Sequence, residues 1–190
     1  VATGEVTTES YDTLVLSPGA APIRPPLPGI DLPGIFSVRT VPDARTIRAW
    51  LHRGEETVTT GMDCYTGFQT VTKPKRAVVV GGGFIGLEMV ENLVHRGLKV
   101  TLIERLNQVM PPLDPEMAAY ATERLQANGV TVRLGEAVES FEQLPDNRLR
   151  VRTSKGVTLD TDLVIVGIGV RPESTLARVA GQELGALGGI

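Results

Sequence analysis

The sequence predicts an α/β fold in which helices alternate with the strands of a parallel sheet and a small antiparallel meander interrupts the series. Three observations carry that expectation. Ala77-Val-Val-Val80 is apolar and mostly β-branched, the character of a strand buried on both faces. A glycine-rich turn and a stretch of helical periodicity follow it directly. Strand and helix patterns then alternate until a second buried run, Asp162-Leu-Val-Ile-Val166, closes the series.

Taken in order, Tyr11-Asp-Thr-Leu-Val-Leu16 predicts a short buried strand that Ser17-Pro18-Gly19-Ala20 breaks. Five prolines between Ala21 and Gly34 (Pro22, Pro25, Pro26, Pro28 and Pro33) fix φ and remove N–H donors. They predict a stiff, extended connection and a domain crossing, with a plain surface loop as the competing reading. A strand is expected from Ile35 to Arg39. Pro42 opens a helix with Ala44, Ile47 and Leu51 on its apolar side and Gly54 as its stop. Thr57-Val-Thr-Thr60 and Gln69-Thr-Val-Thr72, around Gly61 and Gly67, suggest an exposed hairpin.

After the glycine turn, Ile85, Met89, Val90, Leu93 and Val94 share one helical face. Glu88, Glu91, Asn92, His95 and Arg96 share the other, and Gly97 ends the helix. Lys99-Val-Thr-Leu-Ile103 is the next strand. Asp114-Pro115 starts a helix with Met117, Ala118, Ala121 and Leu125 inward, ending at Asn128-Gly129. Val130 to Leu134 is a further strand. Val138–Phe141, Arg148–Arg152 and Gly156–Leu159 read as the meander, with turns at Asp146-Asn147 and Lys155-Gly156.

The 190 residues suffice for one well-cored domain and part of another. A hydrophobic fraction of 42% reads as soluble and globular, and a net charge of −3 without a basic stripe argues against nucleic acid as a partner. The apolar runs are too short to span a membrane, and there is no basic-then-apolar leader. The single Cys64 excludes an internal disulfide framework and fits a reducing compartment, so the expected location is cytoplasmic. A start at Val1 and an end on Leu187-Gly-Gly-Ile190 suggest an excerpt of a longer protein.

The chemistry gathers at Gly81-x-Gly83-x-x-Gly86. In such a turn the first glycine permits the bend, the second lets a pyrophosphate approach the backbone, and the third lets helix and strand pack closely. The following helix N-terminus offers free N–H groups and a positive dipole end. Glu104 ends the second strand 18 positions after Gly86, where an acid can accept hydrogen bonds from an adenosine ribose. Its charge favours NAD(H), while Arg105 beside it could receive the extra phosphate of NADP(H). NAD(H) preferred and NADPH tolerated is the expectation, on a Rossmann-like dinucleotide-binding domain. Elsewhere Cys64 has no nearby His and reads as an inert thiol, and His52 and His95 read as surface helix residues. No metal site, hydrolase triad or Walker loop can be assembled.

Val78-Val-Val-Gly-Gly-Gly-Phe-Ile-Gly-Leu-Glu-Met89 resembles the nicotinamide-nucleotide domain of the FAD-dependent pyridine nucleotide-disulfide oxidoreductases. Val100-Thr-Leu-Ile-Glu104, continued by Gln108 to Met117, is similar to the coenzyme A-disulfide reductases and NADH oxidases of that superfamily. Asp162 to Pro172 resembles its returning strand and Gly-x-Arg-Pro turn, and Tyr11 to Gly19 resembles the strand ending the first part of its flavin domain.

The resemblance implies a pyrophosphate among Gly81, Gly82, Gly83 and Gly86 and a ribose at Glu104. Phe84 would be an aromatic gate over the flavin and Glu88 an acid at the nicotinamide end, although plain packing and a solvated helix face compete for these two. Ile168 and Gly169 would line the nicotinamide side, and Ile85, Arg105 and Gly167 complete the expected cofactor-binding set. No catalytic residue is expected in the chain itself, since the family's redox cysteine and FAD fingerprint lie upstream. By the same resemblance, residues 1–34 end a flavin-domain segment, 35–172 bind NAD(P)H and 173–190 begin the return. Hydride would pass from NAD(P)H to FAD and on to a small disulfide, such as coenzyme A disulfide, or to oxygen, in a full-length homodimer. Ferredoxin- or nitrite-reductase-like flavoenzymes and a non-catalytic nucleotide-binding module are the alternatives.

Overall fold

The computed structural model describes residue 4, residues 6–54 and residues 73–189. The hairpin expected at 57–60 and 69–72, and Cys64, lie outside the described residues. In chain order the elements are β1 (Ala20–Pro22), β2 (Ile35–Phe36), α1 (Val41–His52), β3 (Arg76–Val80), α2 (Phe84–His95), β4 (Lys99–Ile103) and α3 (Pro115–Ala127). There follow β5 (Thr131–Arg133), β6 (Val138–Gln143), β7 (Leu149–Thr153), β8 (Thr158–Thr161), β9 (Leu163–Val166), β10 (Val170–Pro172) and α4 (Thr175–Val179). Two compact units contain them: residues 22–170, and residues 1–21 with 171–190.

The larger unit is built on a parallel sheet of order β2-β9-β3-β4-β5. Of its three interior strands, β9, β3 and β4, the first two have near-continuous apolar sequence, as a sheet covered on both faces requires. Alternation along them decides which residue faces which layer. Ala77, Val79, Val100, Leu102, Leu163 and Ile165 pack with Ile47 and Leu51 of α1 and Val90 and Leu93 of α2. Val78, Ile103, Val164 and Val166 face the other way, onto Val138, Phe141, Leu149 and Val151 of the antiparallel meander β6-β7-β8. The expected parallel sheet and meander are both present, and they form separate layers.

Local signals place the helices. At α1 the Thr40 side chain accepts from the Asp43 N–H while the Asp43 carboxylate accepts from the Thr40 N–H, a capping box, with Pro42 in the first turn. Its far end is tied to the sheet by Trp50 Nε1, which donates to the Asp162 carbonyl at 3.0 Å. The Arg53 guanidinium lies 3.7 Å over the Trp50 ring. The helix α2 has the predicted faces, with Val90 and Leu93 buried and Glu88, Glu91, Asn92, His95 and Arg96 exposed.

Three expectations fail. Ala44 is exposed, because α1 meets the core along Ile47, Trp50 and Leu51. Met117 is 57% exposed, since α3 turns only Ala118 fully inward and rests Ala121 and Leu125 on the core edge. Tyr11–Leu16 forms no strand and is largely exposed: no sheet among the described residues takes up its backbone or its apolar side chains. The smaller unit carries α4, and within it the Glu173 N–H donates to the Gly19 carbonyl at 2.9 Å.

The chain passes from β3 through α2 to β4 on one side and later returns as β9 on the other. The carboxyl ends of β3 and β9 are therefore where strand order reverses. There the backbone is packed almost to contact. A Cβ on Gly81, at φ +104°, would lie 2.3 Å from the Gly167 carbonyl oxygen, whereas one on Gly83 would meet nothing within 4 Å. Gly81→Ala combines a left-handed backbone with a clash against main chain and should destabilise the protein by about 3 kcal/mol. Gly83→Ala should change stability by less than about 0.5 kcal/mol. Urea denaturation of both variants checks the contrast.

Candidate dinucleotide-binding site

A cleft of about 630 Å³ opens at the carboxyl ends of β3, β4 and β9. That is the size and place expected of a cofactor site on an open α/β sheet. One wall is the glycine turn and the start of α2, with Gly81, Gly83, Phe84 and Ile85. The loop after β9, with Gly167, Ile168 and Gly169, lies directly against that turn and lines the cleft beside it. Glu104 and Arg105 stand at one end, and the apolar floor includes Ile30, Ile103, Val138 and Phe141.

The turn holds its shape through short backbone contacts. The Gly81 N–H donates to the Ile103 carbonyl and the Gly167 N–H to the Val80 carbonyl, both at 2.8 Å. A Cβ on Gly86 would overlap the Gly81 carbonyl oxygen, so glycine lets α2 begin directly against the strand end. The space at Gly83 is open, and Gly83 is also the residue from which α2 starts. The first-turn N–H groups of a twelve-residue helix thus border the cleft, a favourable place for phosphate oxygens.

Glu104 is buried, and both its carboxylate oxygens accept from backbone. Oε2 takes the Gly82 N–H at 2.6 Å and Oε1 the Leu106 N–H at 2.7 Å. The acid therefore braces the glycine turn while facing the cleft, a second task that the sequence pattern does not announce. Each carboxylate oxygen keeps a lone pair that a ribose hydroxyl can use. Arg105 lines the same end and is exposed to solvent.

The structure sorts the remaining expected residues. Phe84 is 61% exposed at the mouth instead of packed on the sheet. Ile168 is also partly exposed there, and Gly169 has φ +114° with its carbonyl accepting from the Ile23 N–H at 3.0 Å. Gly82 and Gly86 are buried behind the turn and do not line the cleft. Glu88 lies on the solvent face of α2, outside the lining. His52 and His95 are exposed helix residues, as expected. Among the described residues, no cluster of His, Cys, Asp and Glu could hold a metal ion, and no helix is long and apolar enough to cross a membrane.

Sequence reasoning missed two contributors. Glu136 is buried in the lining, and its carboxylate accepts from Thr153 Oγ1 and from Arg133 Nε. Burial pushes its pKa up, but those two bonds and the Arg133 charge outweigh it and hold the carboxyl below its usual range. Its own N–H donates to the Glu104 carbonyl at 3.0 Å, so it helps set where Glu104 stands. Met110 is the other: it has φ +49° and its N–H donates to the Gly82 carbonyl at 2.8 Å. Glu136 sits in an ordinary-looking polar run, and nothing in the local pattern marks Met110 as left-handed.

Comparison with known proteins agrees with this geometry. The family model for pyridine nucleotide-disulphide oxidoreductases matches residues 1–190. The NADH oxidase of Methanocaldococcus jannaschii is 37% identical over 177 residues, 93% of this chain and 35% of its own length. The chain thus spans about a third of the length of the curated relatives it matches. The reduced CoADR-RHD protein of Bacillus anthracis superposes with a TM-score of 0.83 at 42% identity, covering 99% of this chain and 30% of that one. The water-forming NADH oxidase of Lactobacillus brevis, bound to NADH, superposes with a TM-score of 0.78 at 32% identity, over 98% of this chain and 37% of that one. Its engineered NADPH-bound form gives 0.79 and 31%, with the same coverage. Agreement of residues and of backbone along the whole chain leads to one statement: it is an NAD(P)H-binding domain of the pyridine nucleotide-disulphide oxidoreductase family.

Proposed function

We propose that the cleft binds NADH in preference to NADPH and delivers it to a flavin held by the rest of the protein. The observation that carries this reading is the open space at Gly83, bordered by the α2 N-terminus on one side and the buried Glu104 carboxylate at the end of the cleft. When bound, the nicotinamide nucleotide supplies a hydride for flavin reduction, with a small disulfide such as coenzyme A disulfide, or oxygen, as the final acceptor.

Each expected residue has a task in that reading. Gly81 and Gly86 keep the turn compact, and Gly83 leaves room for the pyrophosphate against the backbone. Ile85 lines the cleft one residue further on, and Gly82 fixes Glu104 through its N–H. Glu104 accepts from the adenosine ribose. Gly167, Ile168 and Gly169 present backbone to the nicotinamide end, where exposed Phe84 serves as the movable gate. Glu88 stands outside the lining in this structure, so its contact with nicotinamide would need α2 or the ligand to extend past the cleft mouth. Residues 1–34 and 173–190 are proposed as flavin-domain segments around a nucleotide domain of 35–172. Cytoplasmic location and a homodimer belong to the same proposal.

The coenzyme preference has separate support. The engineered NADPH-bound oxidase replaces an acid by alanine and places arginine at the next position; the acid lies 18 residues after a glycine that is also replaced. This chain has Gly86, Glu104 18 residues later, and Arg105 next. It therefore combines the acid that repels a 2′-phosphate with an arginine able to meet one.

Two outcomes test the reading. Gly83→Val should fold normally, because its side chain enters empty space, yet bind NADH about tenfold or more weakly by calorimetry. Undiminished NADH binding by that variant would remove the site assignment. In fluorescence titrations NADH should bind more tightly than NADPH, and Arg105→Ala should weaken NADPH about fivefold while leaving NADH unchanged, the scale of one exposed charge pair. A native preference for NADPH would overturn the coenzyme assignment.

A further inference from the structure

Gly82 is gripped at both ends by the segment that follows β4. Its N–H goes to Glu104 Oε2 at 2.6 Å, and its carbonyl takes the Met110 N–H at 2.8 Å. The second contact fixes the orientation of the next peptide plane. In a trans peptide the C=O and the N–H point in opposite directions, so aiming the Gly82 carbonyl at Met110 aims the Gly83 N–H away from that segment. Gly83 itself lines the cleft, and a Cβ placed on it would meet nothing within 4 Å.

Met110 reaches this position at a conformational cost. At φ +49° it is in the left-handed region, which non-glycine residues rarely occupy. It also precedes Pro111, and a residue before proline is normally pushed to extended backbone. Such a conformation persists only where its surroundings over-determine it. The neighbours supply that: buried Val109 lies behind Gly82, within 3.2 Å of a Cβ placed there, and the Leu113 N–H closes a turn onto the Met110 carbonyl at 2.9 Å.

We infer that Met110 is a positioning residue for nucleotide binding: its left-handed backbone holds the Gly82 carbonyl so that the Gly83 N–H faces the pyrophosphate. The role rests on the nucleotide reading of the cleft. It belongs to the main chain of Met110, so what matters is φ and the N–H, not the thioether.

The test compares Met110→Val with Met110→Gly in calorimetric titrations of the chain with NADH, ADP and adenosine, beside urea denaturation. Valine keeps the N–H but resists positive φ, whereas glycine keeps the N–H and adopts positive φ freely. The expected result is about tenfold weaker binding of NADH and ADP by Met110→Val with adenosine unchanged. Met110→Gly should bind all three within about twofold of the native chain. Equal losses for adenosine and ADP would mean general collapse of the cleft and would overturn the inference. So would native ADP affinity in Met110→Val, or a glycine variant as weak as the valine one. If the native chain itself bound no NADH, the nucleotide reading would fall first and the role of Met110 with it.

Discussion

Close approach of main chain to main chain, where β3 and β9 end and α2 begins, is the constraint on which the rest of the site depends. Gly81, Gly86 and Gly167 lie so near one another that a single Cβ at Gly81 or Gly86 would overlap a carbonyl. This proximity lets a helix start within three residues of a buried strand and leaves its N-terminus bordering the cleft. Two side chains of ordinary size at these points would separate helix from sheet. The start of α2 would then no longer border the cleft, even with the cores intact.

Around that crossing the protein uses its buried polar groups as braces. Glu104 accepts two N–H groups from its own chain, Glu136 ties the Glu104 carbonyl to the strand end, and Arg133 and Thr153 satisfy Glu136 in turn. A buried carboxylate left unpaired is costly, so a fully bonded network can persist beside an apolar cleft. The consequence is that one buried acid both lines the cleft and sets the shape of its loop. A change at Glu104 alters the charge in the cleft and also frees the Gly82 N–H.

The larger unit's fold was legible wherever a residue's partners lie within its own element or its own period. The faces of α2, the buried runs of β3 and β9, the glycine turn and the turns at Asn147 and Gly156 all follow from local pattern, and the structure has them. The failures share a cause. Met117 and Ala44 lie on apolar stripes by spacing, but how far a stripe is covered depends on how its helix leans on the sheet. Tyr11–Leu16 has strand composition without a neighbouring strand among the described residues, and a strand is stabilised by its neighbours.

By itself the sequence determined the alternating α/β layout, the glycine turn and the acid 18 residues beyond it, because each rests on steric rules that act over a few residues. It did so while giving no indication that Glu104 clasps the turn or that Glu136 lines the cleft. Only the tertiary structure decided those points, along with the left-handed Met110. Segments far apart in sequence meet there at the end of one sheet, and hydrogen bonds between them outweigh what each residue would adopt alone.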